Sequence, residues 1–100
     1  MTTDDGLAAA AELFKVLGNQ SRLRLLRLLE QSPRTVGALA EAAGLSQPLV
    51  SQHLRTLRHA GLVSVTRSGK ESIYEVADHH VSHVIGDALE HVHEPDDSAH

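Results

Sequence analysis

Apolar residues recur along this chain at two spacings, and the change from one to the other marks where helix gives way to strand. Leu7, Ala10, Leu13, Phe14 and Leu17 have the spacing of an amphipathic helix, and Gly18 suits its C-terminal stop. A second helix follows, capped by Asn19 or Ser21, with Leu23, Leu26 and Leu29 on one face and arginines on another until Ser32, Pro33 and Arg34 break it. Thr35 is placed to cap a short helix from Val36 to Ala43, which Gly44 ends. The next start is the best marked: Ser46 as N-cap, Pro48 in the first turn where no amide partner is lost, and Leu45 placed to staple against Val50. That helix runs to Ala60, with Leu49, Val50, Leu54 and Leu57 inward and Gln47, Ser51, Gln52, Arg55 and Arg58 outward or at the edges. After Gly61 the period becomes two. Val63 and Val65 alternate with Ser64 and Thr66, Arg67 to Lys70 form a turn, and Ser72 to Val76 return as a second strand. Asp78 then caps a last helix whose Val81, Val84, Ile85, Ala88, Leu89 and Val92 trace one apolar stripe.

The pattern predicts a mainly α fold with a small β-hairpin. At 100 residues, with 41% apolar and 22% charged side chains, the chain has room for one domain, residues 1–100, with 1–6 and 95–100 as disordered tails. Its core is aliphatic, since Phe14 and Tyr74 are the only aromatic residues. The longest apolar run, Leu7 to Ala11, is far short of the roughly 20 residues that cross a bilayer, and the acidic start lacks the features of a secretory signal. A cytoplasmic protein with no membrane partner is expected. The absence of cysteine excludes disulfides and thiolate metal sites, so any metal must bind through nitrogen and oxygen.

The net charge of −4 argues at first against a nucleic-acid partner, but its distribution reverses that. Residues 1–12 carry −3; residues 13–76 hold all nine bases against four acids, giving +5; residues 77–100 carry six acids and no base. The middle is suited to an anion and the tail to a cation.

Two short helices separated by Gly44 and Leu45, the second polar on its outer side, have the form of a helix-turn-helix, and the basic-tipped hairpin after them makes it a winged helix. Gln47, Ser51 and Gln52 can hydrogen-bond base edges, Arg55, Arg67 and Lys70 suit phosphates, and His53 can do either; with Pro48 at the helix start they form the candidate DNA-binding set. The runs LGNQSRLRLLRLL, TVGALAEAAGLSQPLVSQHLRTLRHAGLV and VSVTRSGKESIYEV resemble the ArsR/SmtB family of bacterial metal-responsive repressors, over Leu7 to Glu94. The resemblance implies a dimeric winged helix-turn-helix in which Ser46 to Ala60 enters the major grooves of double-stranded operator DNA. It also implies a homodimer interface formed by the first and last helices.

Five of the eight histidines, His79, His80, His83, His91 and His93, fall within fifteen residues. Asp78, His80, His91 and Glu94 are candidate metal ligands, yet one helix cannot bring them to one ion. His80 and His91 share a face but lie about 16 Å apart along the axis, whereas zinc takes ligands at about 2.0 to 2.2 Å. Two copies packed antiparallel solve this by placing Asp78 and His80 of one chain beside His91 and Glu94 of the other, with a crossing near Ile85 and Gly86. Each site then has two nitrogen and two oxygen ligands, suited to Zn(II) or Co(II). The spacing D-x-H, ten residues, H-x-x-E is similar to the last-helix zinc site of the SmtB-like branch, which implies a repressor that releases DNA on binding Zn(II). His83 and His93 are candidate extra ligands, and a nickel- or cobalt-responsive regulator using them is the alternative, as is a metal-independent DNA-binding regulator. His79 reads as solvated surface, and so by default does His100, which with His93 could also supply an octahedral site. A zinc hydrolase using the same residues is disfavoured because a catalytic ion keeps an open position in a concave pocket, so no enzyme is expected. Nothing in the pattern identifies an accessory protein.

Overall fold

Side-chain oxygens close the N-termini of four helices, and these caps set the layout of the chain. In the computed structural model, which describes residues 5–95, the elements are α1 (Leu7–Leu17), α2 (Gln20–Gln31), β1 (Arg34–Thr35), α3 (Val36–Ala43), α4 (Gln47–His59), β2 (Val63–Ser68), β3 (Glu71–Val76) and α5 (His79–His93). Asn19, not Ser21, caps α2 by accepting from the Arg22 amide at 3.0 Å. Thr35 accepts from Ala38 at 3.1 Å, Ser46 from Leu49 at 3.3 Å and Asp78 from His80 at 2.9 Å. Each removes one orphan amide from a helix start. Gly44, at φ 71°, makes the left-handed turn that swings α4 away from α3, a conformation that favours glycine.

Residues 1–4 and 96–100, where most of the expected tails fall, lie outside the described residues. Asp5 and Gly6 depart from that expectation: Asp5 accepts from the Leu7 amide at 3.2 Å and Gly6 is the N-cap of α1, so both belong to the helix start.

The hairpin is longer on both strands than the alternation predicts, because Arg67 and Ser68, expected in the turn, pair with Ser72 and Glu71 and leave only Gly69 and Lys70 to turn; it also gains a third member. β1 pairs antiparallel with β3, Arg34 opposite Tyr74 and Thr35 opposite Ile73, so the sheet order is β1-β3-β2. Two residues carry no readable period, which is why a break was expected where a strand lies. The core is a single cluster. Leu25, Leu39, Val50, Leu54 and Leu57 are its fully buried members, joined by Leu17 of α1, Val63 of β2, and Val81 and Ile85 of α5. In α2 the inward face is Leu25, Leu26 and Leu29, with Leu23 only partly covered. Among the described residues no helix is long and apolar enough to cross a membrane.

Candidate DNA-reading surface and metal half-sites

α4 divides its side chains sharply. Val50, Leu54 and Leu57 are buried, while Gln47, Pro48, Ser51, Gln52 and Arg55 are exposed along the outer side. The core thus holds the helix by one face and leaves a polar face free to enter a groove. Arg67 near the end of β2 and Lys70 in the hairpin turn are exposed as well, and Gly69 at φ 65° supplies the tight turn between the strands. No ion pair among the described residues engages Arg55, Arg67 or Lys70.

His53 departs from the expected set. It is only 9% exposed and faces the core, where its Nδ1 lies 3.4 Å from a guanidinium nitrogen of Arg22. A contact to DNA therefore does not suit this ring. The physical reason is rotation: His53 follows the buried row of Val50, Leu54 and Leu57 rather than the outer row of Ser51 and Arg55.

On α5 the expected single stripe splits in two. Val81 and Ile85 are buried in the chain's own core, whereas Val84 and Ala88 are exposed and Val92 is 67% exposed. At about 100° of rotation per residue, Val84, Ala88 and His91 share a face with His80. Gly86 lies roughly 160° from that stripe, and Ile85 is buried in the chain's own core. Phe14 of α1, 58% exposed, joins Val84, Leu89 and Val92 around an apolar groove of about 390 Å³.

The candidate ligands sit at the two ends of this face. Asp78 caps α5 at one end, with its Oδ1 3.3 Å from His80 Nδ1, and His80 is almost fully exposed. His91 lies in the last turn and Glu94 is the C-cap, both exposed. Among the described residues no group of three or more potential ligands comes together within the chain. Each end supplies one imidazole and one carboxylate, a donor pair that suits half of a tetrahedral Zn(II) site. Of the extra candidates, His83 lies about 60° around the helix from His80, while His93 lies about 140° away.

Residues 19–65 match the family model described as bacterial regulatory protein, arsR family. The chain is 44% identical over 88 residues to the HTH-type transcriptional repressor SmtB of Mycobacterium tuberculosis, covering 88% of this chain and 65% of that one. It is 40% identical over 94 residues to the HTH-type transcriptional regulator NmtR of the same organism, covering 89% of this chain and 78% of that one. It belongs to the ArsR/SmtB family. A homodimeric winged helix-turn-helix DNA-binding domain from Mycobacterium bovis superposes with a TM-score of 0.82 at 30% identity, covering 100% of this chain and 95% of that one. The chain therefore has the winged helix-turn-helix fold of the family, while spanning 65% of the length of SmtB. SmtB and NmtR are named as transcriptional regulators, in agreement with the non-enzymatic reading of the chain.

In this ArsR/SmtB-family chain, sequence reasoning missed Arg22, whose Nε donates to the Val16 carbonyl at 2.7 Å while its other arm reaches His53. One guanidinium thus ties the last turn of α1 to the recognition helix. A guanidinium only donates, so His53 Nδ1 must accept and the ring proton sits on Nε2. Burial, and then the positive charge of Arg22, hold the His53 pKa below its ordinary 6.5. The neutral ring is thereby favoured in the fold. Its contribution to stability is complete above about pH 6.5 and is lost as pH falls from there through the lower folded value. Thermal unfolding from pH 7.5 to 5.5 should show wild type losing stability more steeply than His53→Gln; parallel curves would refute the assignment.

Proposed function

We propose that this chain is a homodimeric, metal-responsive transcriptional repressor that holds operator DNA through α4 and the wing, and releases it when Zn(II) is held between the two α5 helices. The observation that carries this reading is a coincidence on one exposed face of α5. An apolar stripe without a partner lies between Asp78 and His80 at one end and His91 and Glu94 at the other. Antiparallel packing of two copies would cover the stripe and complete both donor sets together. The bound ion would supply a bridge between subunits; the protein side chains do the rest.

Asp78 has two tasks in this arrangement. One oxygen accepts the His80 amide, which fixes the carboxylate against the helix start and leaves the other oxygen for a ligand. The exposed apolar face brings the second pair within reach. The polar face of α4 and the hairpin tip contact bases and phosphates, Gln47, Ser51 and Gln52 in the groove and Arg55, Arg67 and Lys70 on the backbone. The cytoplasm is the proposed site of action, since that is where this reading has operator DNA bound.

Release requires differential binding. Metal lowers DNA affinity only if it binds the DNA-competent dimer less well, and DNA then weakens metal binding by the same factor, about 5- to 150-fold. The route available to this fold is the spacing of the two recognition helices, which must match half-sites about 34 Å apart.

The test is fluorescence anisotropy on a duplex selected from a random pool by the metal-free protein, at fixed salt, titrated separately with Zn(II), Ni(II) and Co(II). Zn(II) should release the wild type, and His91→Ala should keep its metal-free affinity and lose the response. Tighter binding with Zn(II), or an unaltered response in His91→Ala, would contradict the proposal. One observation favours a second reading: His83 is exposed near the His80 face, so a preference for Ni(II) that disappears in His83→Ala would assign an octahedral site with an added imidazole.

A further inference from the structure

A cleft of about 580 Å³ lies between α4 and the wing, lined by Ser51, Leu54, Arg55, Arg58, His59 and Tyr74. Its lining contains two arginines and a histidine and no carboxylate, in a chain whose acids outnumber its bases by 13 to 9. Neither Arg55 nor Arg58 has an ion-pair partner among the described residues, and the Tyr74 hydroxyl has no hydrogen bond there either. The nearest acid in sequence to Tyr74, Glu75, lines a different cleft beside Leu29 and His79.

The fold explains how this set comes together. Ser51, Arg55 and Arg58 recur at helical spacing, one face round from the buried row of α4. Tyr74 stands opposite Val65 in the β2–β3 ladder, and its side chain packs against the core while also lining the cleft. An aromatic ring packed on the core that also lines a cationic cleft can present its hydroxyl there as a hydrogen-bond donor.

We propose that this cleft is a phosphate-binding cradle that takes one backbone phosphate of the DNA per protomer, with Arg58 and Arg55 as charge partners and the Tyr74 hydroxyl as donor. The inference rests on the DNA-binding reading above and extends it to Arg58 and Tyr74, which lie beyond the helix start where bases are read. Position supports DNA over a free anion: Ser51 and Arg55 belong both to the outer face of α4 and to the cleft, so a strand tracked by that face passes its mouth. The C-terminal end of α4 places a partial negative charge of about half a unit nearby, which opposes an anion. Two full guanidinium charges outweigh it.

The test compares wild type, Arg58→Gln and Tyr74→Phe on a labelled duplex of roughly 30 base pairs, long enough for two half-sites, selected by the wild-type protein, across a series of salt concentrations. Each phosphate contact contributes about −0.9 to the slope of log affinity against log salt. Arg58→Gln should therefore flatten the slope by about 1 per protomer, near 2 per dimer, and weaken binding alike on selected and unrelated duplexes. Tyr74→Phe should weaken binding several-fold and leave the slope almost unchanged. A second arm titrates inorganic phosphate without DNA. If Arg58→Gln leaves the salt slope at its wild-type value, the cradle is overturned; if it also abolishes tight binding of inorganic phosphate, the cleft belongs to a free anion instead. Failure of the wild type to bind any duplex would sink the DNA-binding reading itself, a distinct result from an unaltered slope.

Discussion

Phe14→Glu should give a folded monomer whose affinity for duplex DNA is about a hundred-fold or more below that of wild type. Phe14 is a large apolar side chain, more than half exposed on α1, and it lines the groove that Val84, Leu89 and Val92 of α5 complete. The chain's own core does not need it, because α1 is anchored by Leu17 and, in part, by Leu13 and Val16. In the proposed dimer a glutamate at that position would be buried twice in a symmetric interface, once from each copy, and burying an unpaired charge costs several kcal/mol. Loss of the dimer separates the two recognition helices. The second half-site contact then ceases to be intramolecular, and the gain from linkage, typically 10²- to 10⁴-fold, is forfeited. Sedimentation velocity would read the oligomeric state, circular dichroism the fold and anisotropy the affinity. A Phe14→Glu dimer with wild-type affinity would remove the α1–α5 face from the assembly.

The same face shows what periodicity records and what it omits. The i, i+3, i+4 pattern of α5 correctly marks Val81, Val84, Ile85, Ala88, Leu89 and Val92 as apolar, but the pattern is blind to what covers them. The stripe is wider than one neighbour covers: the chain's own core takes Val81 and Ile85, while Val84 and Val92 are exposed and are the residues that the proposed second copy would cover. A glycine at the axial midpoint suggested close backbone approach, yet axial position says nothing of azimuth, and Gly86 lies off the exposed stripe. Caps were the most legible features, because one side chain and one amide decide each of them; Thr35, Ser46 and Asp78 all cap as their sequence context predicts, and Asn19 takes the place left open between it and Ser21. His53 was the least legible of the site residues. A polar residue in a polar-looking stretch reads as outward, although its spacing from Val50, Leu54 and Leu57 already puts it on the buried row; what no local pattern supplies is its partner Arg22, 31 positions earlier. β1 fails for the opposite reason: its two residues are ordered by pairing with β3, a contact across nearly forty positions.

Leu54→Ala should cost about 2 to 5 kcal/mol of stability and lower the melting temperature by roughly 10 to 30 °C. Leu54 is 1% exposed, midway along α4 between Val50 and Leu57, where the recognition helix is pressed into the core. Removing its branched end leaves a cavity that the surrounding leucines can fill only in part, and a domain of this size holds no more than about 5 to 15 kcal/mol in reserve. Gln52→Ala, two positions away on the same helix, supplies the contrast. Gln52 is exposed and its side chain has no hydrogen bond among the described residues, so its loss should leave stability within about 0.5 kcal/mol of wild type. Its effect should appear instead in discrimination between duplexes, at about 1 to 3 kcal/mol for a lost base contact. Thermal denaturation of both variants, with anisotropy measured well below either melting temperature, separates the two roles. A large stability loss in Gln52→Ala, or a Leu54→Ala variant as stable as wild type, would contradict the division of α4 into a face that holds and a face that reads. Because that division is a matter of rotation alone, the two outcomes stand or fall together: a helix advanced by one position, with Gln52 in the buried place of His53 and Leu54 in the exposed place of Arg55, would exchange the effects of the two substitutions.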